Sequence, residues 1–500
     1  MSHPLRERIQ AVLSIDPDAP AVEFEGRWHP WRELSGVVDA LDAACSAAGL
    51  GPHTAVGMLL RNTPAMVGAM LAAVATDRCI VTLNPHQGDA KVAKDVLDVR
   101  SPVLVATAED WERPALRAAA GEIGCLGLAL TTDAGAPVRM VDGLEKLGNG
   151  PHRPPLPGVA VEMLTSGTTG PPKRIQLEAA AFARTIGAAG RHYRKGAGEA
   201  RGPRLGTGVA IVNAPFVHMS GLFRTLLNVC EGRKIALLPR FAVEPWLELV
   251  RRHRPRAVSL VPSALRMVLD ADVAPEDLAG IQVVTSGSAK LDADVQLAFE
   301  DRYGIPVLPS YGATEFAGGV AGWTLALHRE WGETKRGSVG RPQPGRELRV
   351  VHPDTGDPLP IDEVGLLEVR SGEGRWHRTT DLGRIDADGF VWIVGRSDDA
   401  ILRGGFKIMP AEVVRVLVSH PEVRDACVVG LSDARLGQVP VAAVELRDGA
   451  KADATTLRDF ARQHLTSYQV PAAILVVPAL PRTPSLKISQ PDVRALFETR

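Results

Sequence analysis

Seven short runs of β-branched and aliphatic residues are spaced along the chain: VGMLL (56 to 60), CIVTLNP (79 to 85), VLVAT (103 to 107), VAIVN (209 to 213), KIALL (234 to 238), AVSLV (257 to 261) and IQVVT (281 to 285). Between them, RELSGVVDALDAACSAAG, PWLELVRRHR and DADVQLAFEDRYG repeat apolar residues at three and four spacing, the period of a helix with one buried face. Strand-like runs alternating with helical stretches predict an α/β fold whose sheets are mainly parallel and flanked by helices. Around Pro342 the pattern changes to turn-rich, strand-like segments such as ELRVV and GLLEVRS. The large N-terminal domain, 1–396, is therefore expected to carry a β-rich part at about 335–396. After Arg396 the order is helix (PAEVVRVLVSH), strand (DACVVGL), strand (VAAVEL), helix (ATTLRDFARQHL), strand (AAILVV) and a proline-rich loop. Residues 397–500 suffice for a small α+β C-terminal domain.

Composition excludes several classes. With 500 residues, 45% hydrophobic, 23% charged and a net charge of -1, the chain can bury a large core and shows no basic field for nucleic acid or an anionic membrane. The most apolar helical stretch, PAMVGAMLAAVA, is short of the roughly 20 residues of a membrane span, and no apolar targeting core opens the sequence. Cys45, Cys79, Cys125, Cys230 and Cys427 are scattered with no C-x-x-C spacing, which fits buried thiols in a reducing compartment and gives no zinc site. A cytoplasmic protein without integral membrane association is expected.

The stretch MLTSGTTGPPKRIQLE has the look of a phosphate cradle. It is not a Walker loop, because Pro171 and Pro172 separate Gly170 from Lys173, and Arg174 stands where a metal-binding hydroxyl belongs. Nor is it a dinucleotide fingerprint, since G-x-G-x-x-G is absent and a helix does not start easily through Pro-Pro. Ser166, Thr168 and Thr169 still offer hydroxyls, Gly167 and Gly170 permit close approach of backbone amides, and Lys173 adds charge. A polar surface loop remains the other reading. Three further segments carry chemistry: PSYGATEF, with Tyr311 and Glu315 at a strand end; TTDLGRIDADGFVWIVGRSDD, with Asp381 ahead of a hairpin returning to Arg396 and Asp398; and LPRTPSLKIS, with Lys487 on a loop before the last helix. Each alone also fits a solvated turn or surface charge.

As a series, TSGTTGPPK, YGATE, TTDLG followed by GR, and PRTPSLK closely resemble the signatures of the adenylate-forming superfamily, across nearly the whole chain. That superfamily contains acyl- and aryl-CoA synthetases, adenylation domains of peptide synthetases and beetle luciferases. The resemblance implies activation of a carboxylic acid by ATP to an acyl-adenylate, then capture by a thiol. By the same resemblance, Thr165 to Lys173 wrap the β- and γ-phosphates. Thr314 and Glu315 serve the α-phosphate and Mg2+. Tyr311 and Gly312 lie along the adenine, opposite the backbone of Gly287, Ser288 and Ala289. Asp381 accepts the ribose hydroxyls, with Arg396 in the same constellation, and His218 lines the acyl pocket. Lys487 reaches the carboxylate and α-phosphate during adenylation alone. Asp398 matches a hinge about which the small domain is mobile, bringing Gly404 and Gly405 toward a thiol tunnel.

Amino-acid-activating members of the superfamily carry an aspartate near FVHM and none stands here, so the resemblance implies an acid that is not an amino acid, while Phe216, Met219, Leu222 and Phe223 suggest an apolar pocket. The expected function is acyl- or aryl-CoA ligase, using ATP, Mg2+ and coenzyme A. The alternatives are transfer to a carrier protein or a single half-reaction, and a catalytically weak nucleotide-binding protein. Two residues depart from the pattern, Arg174 and Leu486, each standing where the superfamily carries glycine.

Overall fold

The computed structural model describes residues 4–164, 173–193, 203–371 and 374–498. Its architecture is mixed α/β, with every one of the seven apolar runs forming a strand. A seven-stranded sheet runs in the order Val138–Met140, Leu126–Leu130, Val103–Thr107, Ala55–Leu59, Cys79–Leu83, Val159–Leu164, Arg174–Glu178. Its interior pairs are parallel and its two edge pairs antiparallel. The interior strands Ala55–Leu59 and Cys79–Leu83 are buried at every position, which is why they read as continuous apolar runs with no alternation.

A second sheet joins Val209–Val212 and Lys234–Leu237 to Pro20–Phe24 and Arg27–Pro30. This N-terminal hairpin was not foreseen, because PAVEF is too short and too mixed to show a period. The third sheet orders Ala257–Ser259, Val283–Ser286, Val307–Ala313, Gly318–Gly322 and Arg341–Pro342, parallel through its first three strands. Next comes an antiparallel meander, Arg346–Val351, Gly365–Ser371, His377–Ile385 and Val391–Arg396.

Helix Pro64–Ala75 shows how the core is built. Thr63 caps it by accepting from the Met66 amide, Pro64 opens it, and all but one of its residues are buried. Being apolar all round, it is an interior helix. Among the described residues no helix is long and apolar enough to cross a membrane. The five cysteines are all buried and unbridged, and burial pushes the Cys79 and Cys125 thiols up to about 12.

The C-terminal part follows the expected order, helix Pro410–Val418, strands Val423–Asp433 and Gly437–Leu446, helix Ala454–His464 and strand Ala473–Val477. It adds a small hairpin, Ile401–Arg403 and Phe406–Ile408, that pairs onto Gly437. It has apolar clusters of its own, centred on Val413, Val428 and Leu457 and on Val429 and Val493.

Candidate active site

A cleft is lined by the carboxyl ends of Val283–Ser286 and Val307–Ala313, by the last strands of the meander and by the loop carrying Lys487. Ligand crevices in open α/β sheets form at such strand ends, where side chains from several strands converge without being hydrogen-bonded into the sheet.

Tyr311 and Asp381 meet there. The Tyr311 hydroxyl donates to Asp381 Oδ2 at 2.6 Å. Burial, then the Asp381 charge, raise the phenol above its ordinary range, so Tyr311 stays a neutral donor. Asp381 faces Arg396 across the meander, the two being register partners, with Arg396 Nη1 3.7 Å from Oδ1. Arg396 spends its fork on Asp398, through bonds of 2.9 and 2.8 Å. A carboxylate has about four acceptor sites, so Asp381 can still take two more donors. Opposite Tyr311, Gly287 approaches Ser310 so closely that a Cβ would lie 2.7 Å from its hydroxyl. Ser288 holds a left-handed φ of 70°, which turns this backbone out along the cleft.

Thr314 and Glu315 form a short 3-10 turn after the strand bearing Tyr311, with Glu315 exposed in the cleft. No cluster of three or more metal-ligating side chains occurs among the described residues. That donor set fits Mg2+, which binds through one or two carboxylates together with substrate phosphates and water, and not a caged metal.

His218 is the N-cap residue of helix Met219–Cys230, entered through a tight turn in which a Cβ on Gly221 would lie 2.2 Å from the Pro215 carbonyl oxygen. The imidazole Nε2 is enclosed and finds no hydrogen-bond partner among the described residues. Burial, then the charges of Lys487 and His86, hold its pKa down at about 4. His218 is therefore neutral, and Lys487 is close enough to be felt. Met219 and Phe223 line the cleft as expected, but Phe216 and Leu222 do not. Those two are fully buried in the main core, Leu222 on the inward face of the helix and Phe216 in the turn before it, where its amide is held by Asn62.

Lys487 sits on a tightly closed loop. Thr483 N donates to Lys487 O at 2.7 Å, the Leu486 amide donates to Thr483 O at 2.8 Å, and Ser489 N donates to Pro481 O at 2.8 Å. Burial, then the Arg396 charge, place the ammonium below the usual lysine range. Among the described residues no carboxylate is paired with it, although it lines the cleft.

The remaining expectations divide. Thr165, Ser166, Gly167, Thr168, Thr169 and Gly170 lie outside the described residues. Lys173 is exposed immediately before strand Arg174–Glu178, which pairs with Val159–Leu164. Arg174 turns inward, donating to Thr82 O at 3.2 Å beside Asp95 and Glu162. Gly404 and Gly405 make the exposed turn of the small hairpin, with φ of 54° and 88°, and do not line the cleft. Asn62 was missed: its amide accepts from Phe216 N at 2.9 Å and donates to Ala214 O and Leu238 O, fixing the turn before His218. Nothing local in RNTP signals that role, which depends on a partner about 150 residues on. His86, at the mouth of the same pocket, was missed for the same reason.

Known proteins resemble this chain along nearly its whole length. The family model described as AMP-binding enzyme matches residues 9–373, and the AMP-binding enzyme C-terminal domain matches residues 412–487. A 4-coumarate–CoA ligase 3 from Oryza sativa subsp. japonica is 28% identical over 94% of this chain and 87% of its own. A sulfoacetate–CoA ligase from Cupriavidus necator is 30% identical over 95% and 94%. Among solved structures, the amide bond synthetase McbA from Marinactinospora thermotolerans superposes with a TM-score of 0.78 at 28% identity, over 99% of this chain and 100% of that one.

Proposed function

The chain belongs to the AMP-binding enzymes, and on that premise we propose that it is an AMP-forming acid–thiol ligase. It joins an apolar carboxylic acid to ATP as acyl-AMP with release of pyrophosphate, then passes the acyl group to coenzyme A. The observation that carries the reading is the position of Lys487. A lysine from the last loop of the chain lies in the same cleft as Tyr311, Asp381 and His218, enclosed and with no carboxylate paired to it among the described residues. An enclosed, unneutralised ammonium is a strong attractor for an anion, and a carboxylate meeting an α-phosphate supplies two.

Each residue then has a physical task. Asp381 accepts the ribose hydroxyls while Tyr311, held by its bond to Asp381, lies along the adenine. The Gly287–Ser288–Ala289 backbone closes the opposite side. Lys487 brings the two like-charged reactants together and stabilises the charge that develops as the carboxylate attacks, the largest contribution such a site makes. Neutral His218, with Met219 and Phe223, bounds the acyl group and adds no positive charge that would compete with Lys487. Glu315, with Thr314 beside it, would hold Mg2+ together with the phosphates, and the ion would supply charge neutralisation. The loop from Thr165 to Lys173 cradles the outer phosphates. Asp398 is the hinge that lets the small domain withdraw Lys487 and present Gly404 and Gly405 to the thiol.

The CoA–ligase relatives support coenzyme A as acceptor. The likeness to an amide bond synthetase favours a second reading, in which an amine takes the acyl group. Incubation with ATP, a panel of aryl and alkyl acids, and either coenzyme A or amines separates them. The proposal expects acid-dependent AMP release stimulated by coenzyme A, with the acyl-CoA recovered. AMP release driven by amines alone would move the assignment to the second reading, and no acid-dependent turnover would refute both.

A further inference from the structure

Arg482 lies five residues before Lys487 and connects its loop to a distant helix. Its Nη1 donates to the Leu486 carbonyl oxygen at 3.3 Å, and its Nη2 donates to Asp425 Oδ2 at 2.7 Å. The other oxygen of Asp425 lies 3.6 Å from Arg266 Nη1, on helix Pro262–Asp270 of the large N-terminal part. Arg266 also donates to the Arg424 carbonyl oxygen. One turn further along that helix, Asp270 stands 3.6 Å from the Arg424 guanidinium, which in turn reaches Asp448 and Glu445. The pairing is reciprocal: each part gives one arginine and one aspartate to the other. Leu486 adds an apolar foot, packing against the core cluster that contains Leu265 and Val268 of the same helix.

We propose that Arg266, Asp425 and Arg482 are positioning residues for Lys487. They form a continuous polar chain that transmits seating of the C-terminal part on helix Pro262–Asp270 to the lysine loop. The chain acts in adenylation and in no other step, because its Arg266–Asp425 link, the one that joins the two parts, exists only while Lys487 is in the cleft. None of the three touches the reacting atoms. Their effect is to fix a long side chain whose own backbone is otherwise held by a few local bonds, and catalysis is sensitive to displacements of that size. The side chains of Arg266 and Asp425 are 21% and 18% exposed, so the pair is screened less than a surface pair and its loss is felt. The roles assigned here rest on the acid–thiol ligase reading above.

Arg266→Gln is the informative variant, because it leaves the Arg482–Asp425 pair within the C-terminal part intact, and Arg266→Lys is the conservative control. Acid-dependent exchange of pyrophosphate into ATP should fall roughly five- to twentyfold in Arg266→Gln, the usual size of a coupling between sites, and recover in part in Arg266→Lys. Thioester formation from supplied acyl-AMP should be unchanged or faster. The seating itself is read without activity, as the distance between spin labels at Glu276→Cys and Lys451→Cys in the nucleotide-bound protein. Arg266→Gln should broaden that distribution toward a second population. Equal loss in both half-reactions, or an unchanged exchange rate, would overturn the proposal. If wild-type protein shows no exchange with any acid, the ligase reading fails. The label distances then still decide whether the ion pairs seat the C-terminal part, and an unchanged distribution in Arg266→Gln would overturn that too.

Discussion

Leu486 has a φ of 62°, a left-handed conformation that costs a non-glycine residue about 1 to 2 kcal/mol. Where the superfamily pattern carries glycine, this chain keeps the backbone shape and accepts the strain. The compensation is visible: the side chain is half-buried against the cluster of Trp246, Leu265 and Phe299. Partial burial of a leucine contributes about as much as the strain removes. Leu486→Gly should therefore change folding stability by less than about 1 kcal/mol, read from thermal or denaturant unfolding. A loss of several kcal/mol would show that packing outweighs strain. Arg174, the other departure, is absorbed differently, by turning inward between Thr82, Asp95 and Glu162. Both substitutions were legible as departures. Their consequences were not, because each depends on neighbours far away in sequence.

At the scale of elements, the turn from Ala214 to Met219 and the helix behind it fix a neutral imidazole in an enclosed pocket. Folded His218 is held near 4 while an unfolded histidine titrates near 6.5. Between those values the unfolded chain binds more protons, so stability rises with pH there. The contribution of His218 is complete above about 6.5 and is lost as pH falls toward about 4, on the order of 3 kcal/mol. His218→Gln should flatten the acid limb of the stability profile between pH 6.5 and 4, measured by urea midpoints, and an unaltered slope would place the imidazole outside the enclosed pocket. The interior strands Ala55–Leu59 and Cys79–Leu83 were readable from β-branched runs, since interior parallel strands are apolar at every position. The short hairpins Pro20–Pro30 and Ile401–Ile408 were not, because three- to five-residue strands carry no period and are held by tertiary pairing. Reading Leu222 as a pocket residue failed because the direction a helix turns cannot be read from its own apolar pattern when both of its faces are covered, and reading Phe216 so failed because its turn is held by the distant Asn62.

At the scale of the whole molecule, the sequence signatures point to loops that start far apart in the fold. Tyr311 and Asp381 come from different sheets, and Lys487 from a loop anchored in the C-terminal part. The central claim is that this last loop enters the cleft for one half-reaction and leaves for the other. The exposed Gly404–Gly405 turn, lying away from the cleft while Lys487 is in it, is the observation that motivates the claim. The most direct measurement is rapid-quench kinetics of both half-reactions in wild type, Lys487→Ala and Gly405→Leu. Lys487→Ala should lose acyl-AMP formation by at least about a hundredfold while using supplied acyl-AMP normally, and Gly405→Leu should do the reverse. Equal damage to both steps in each variant would contradict the claim.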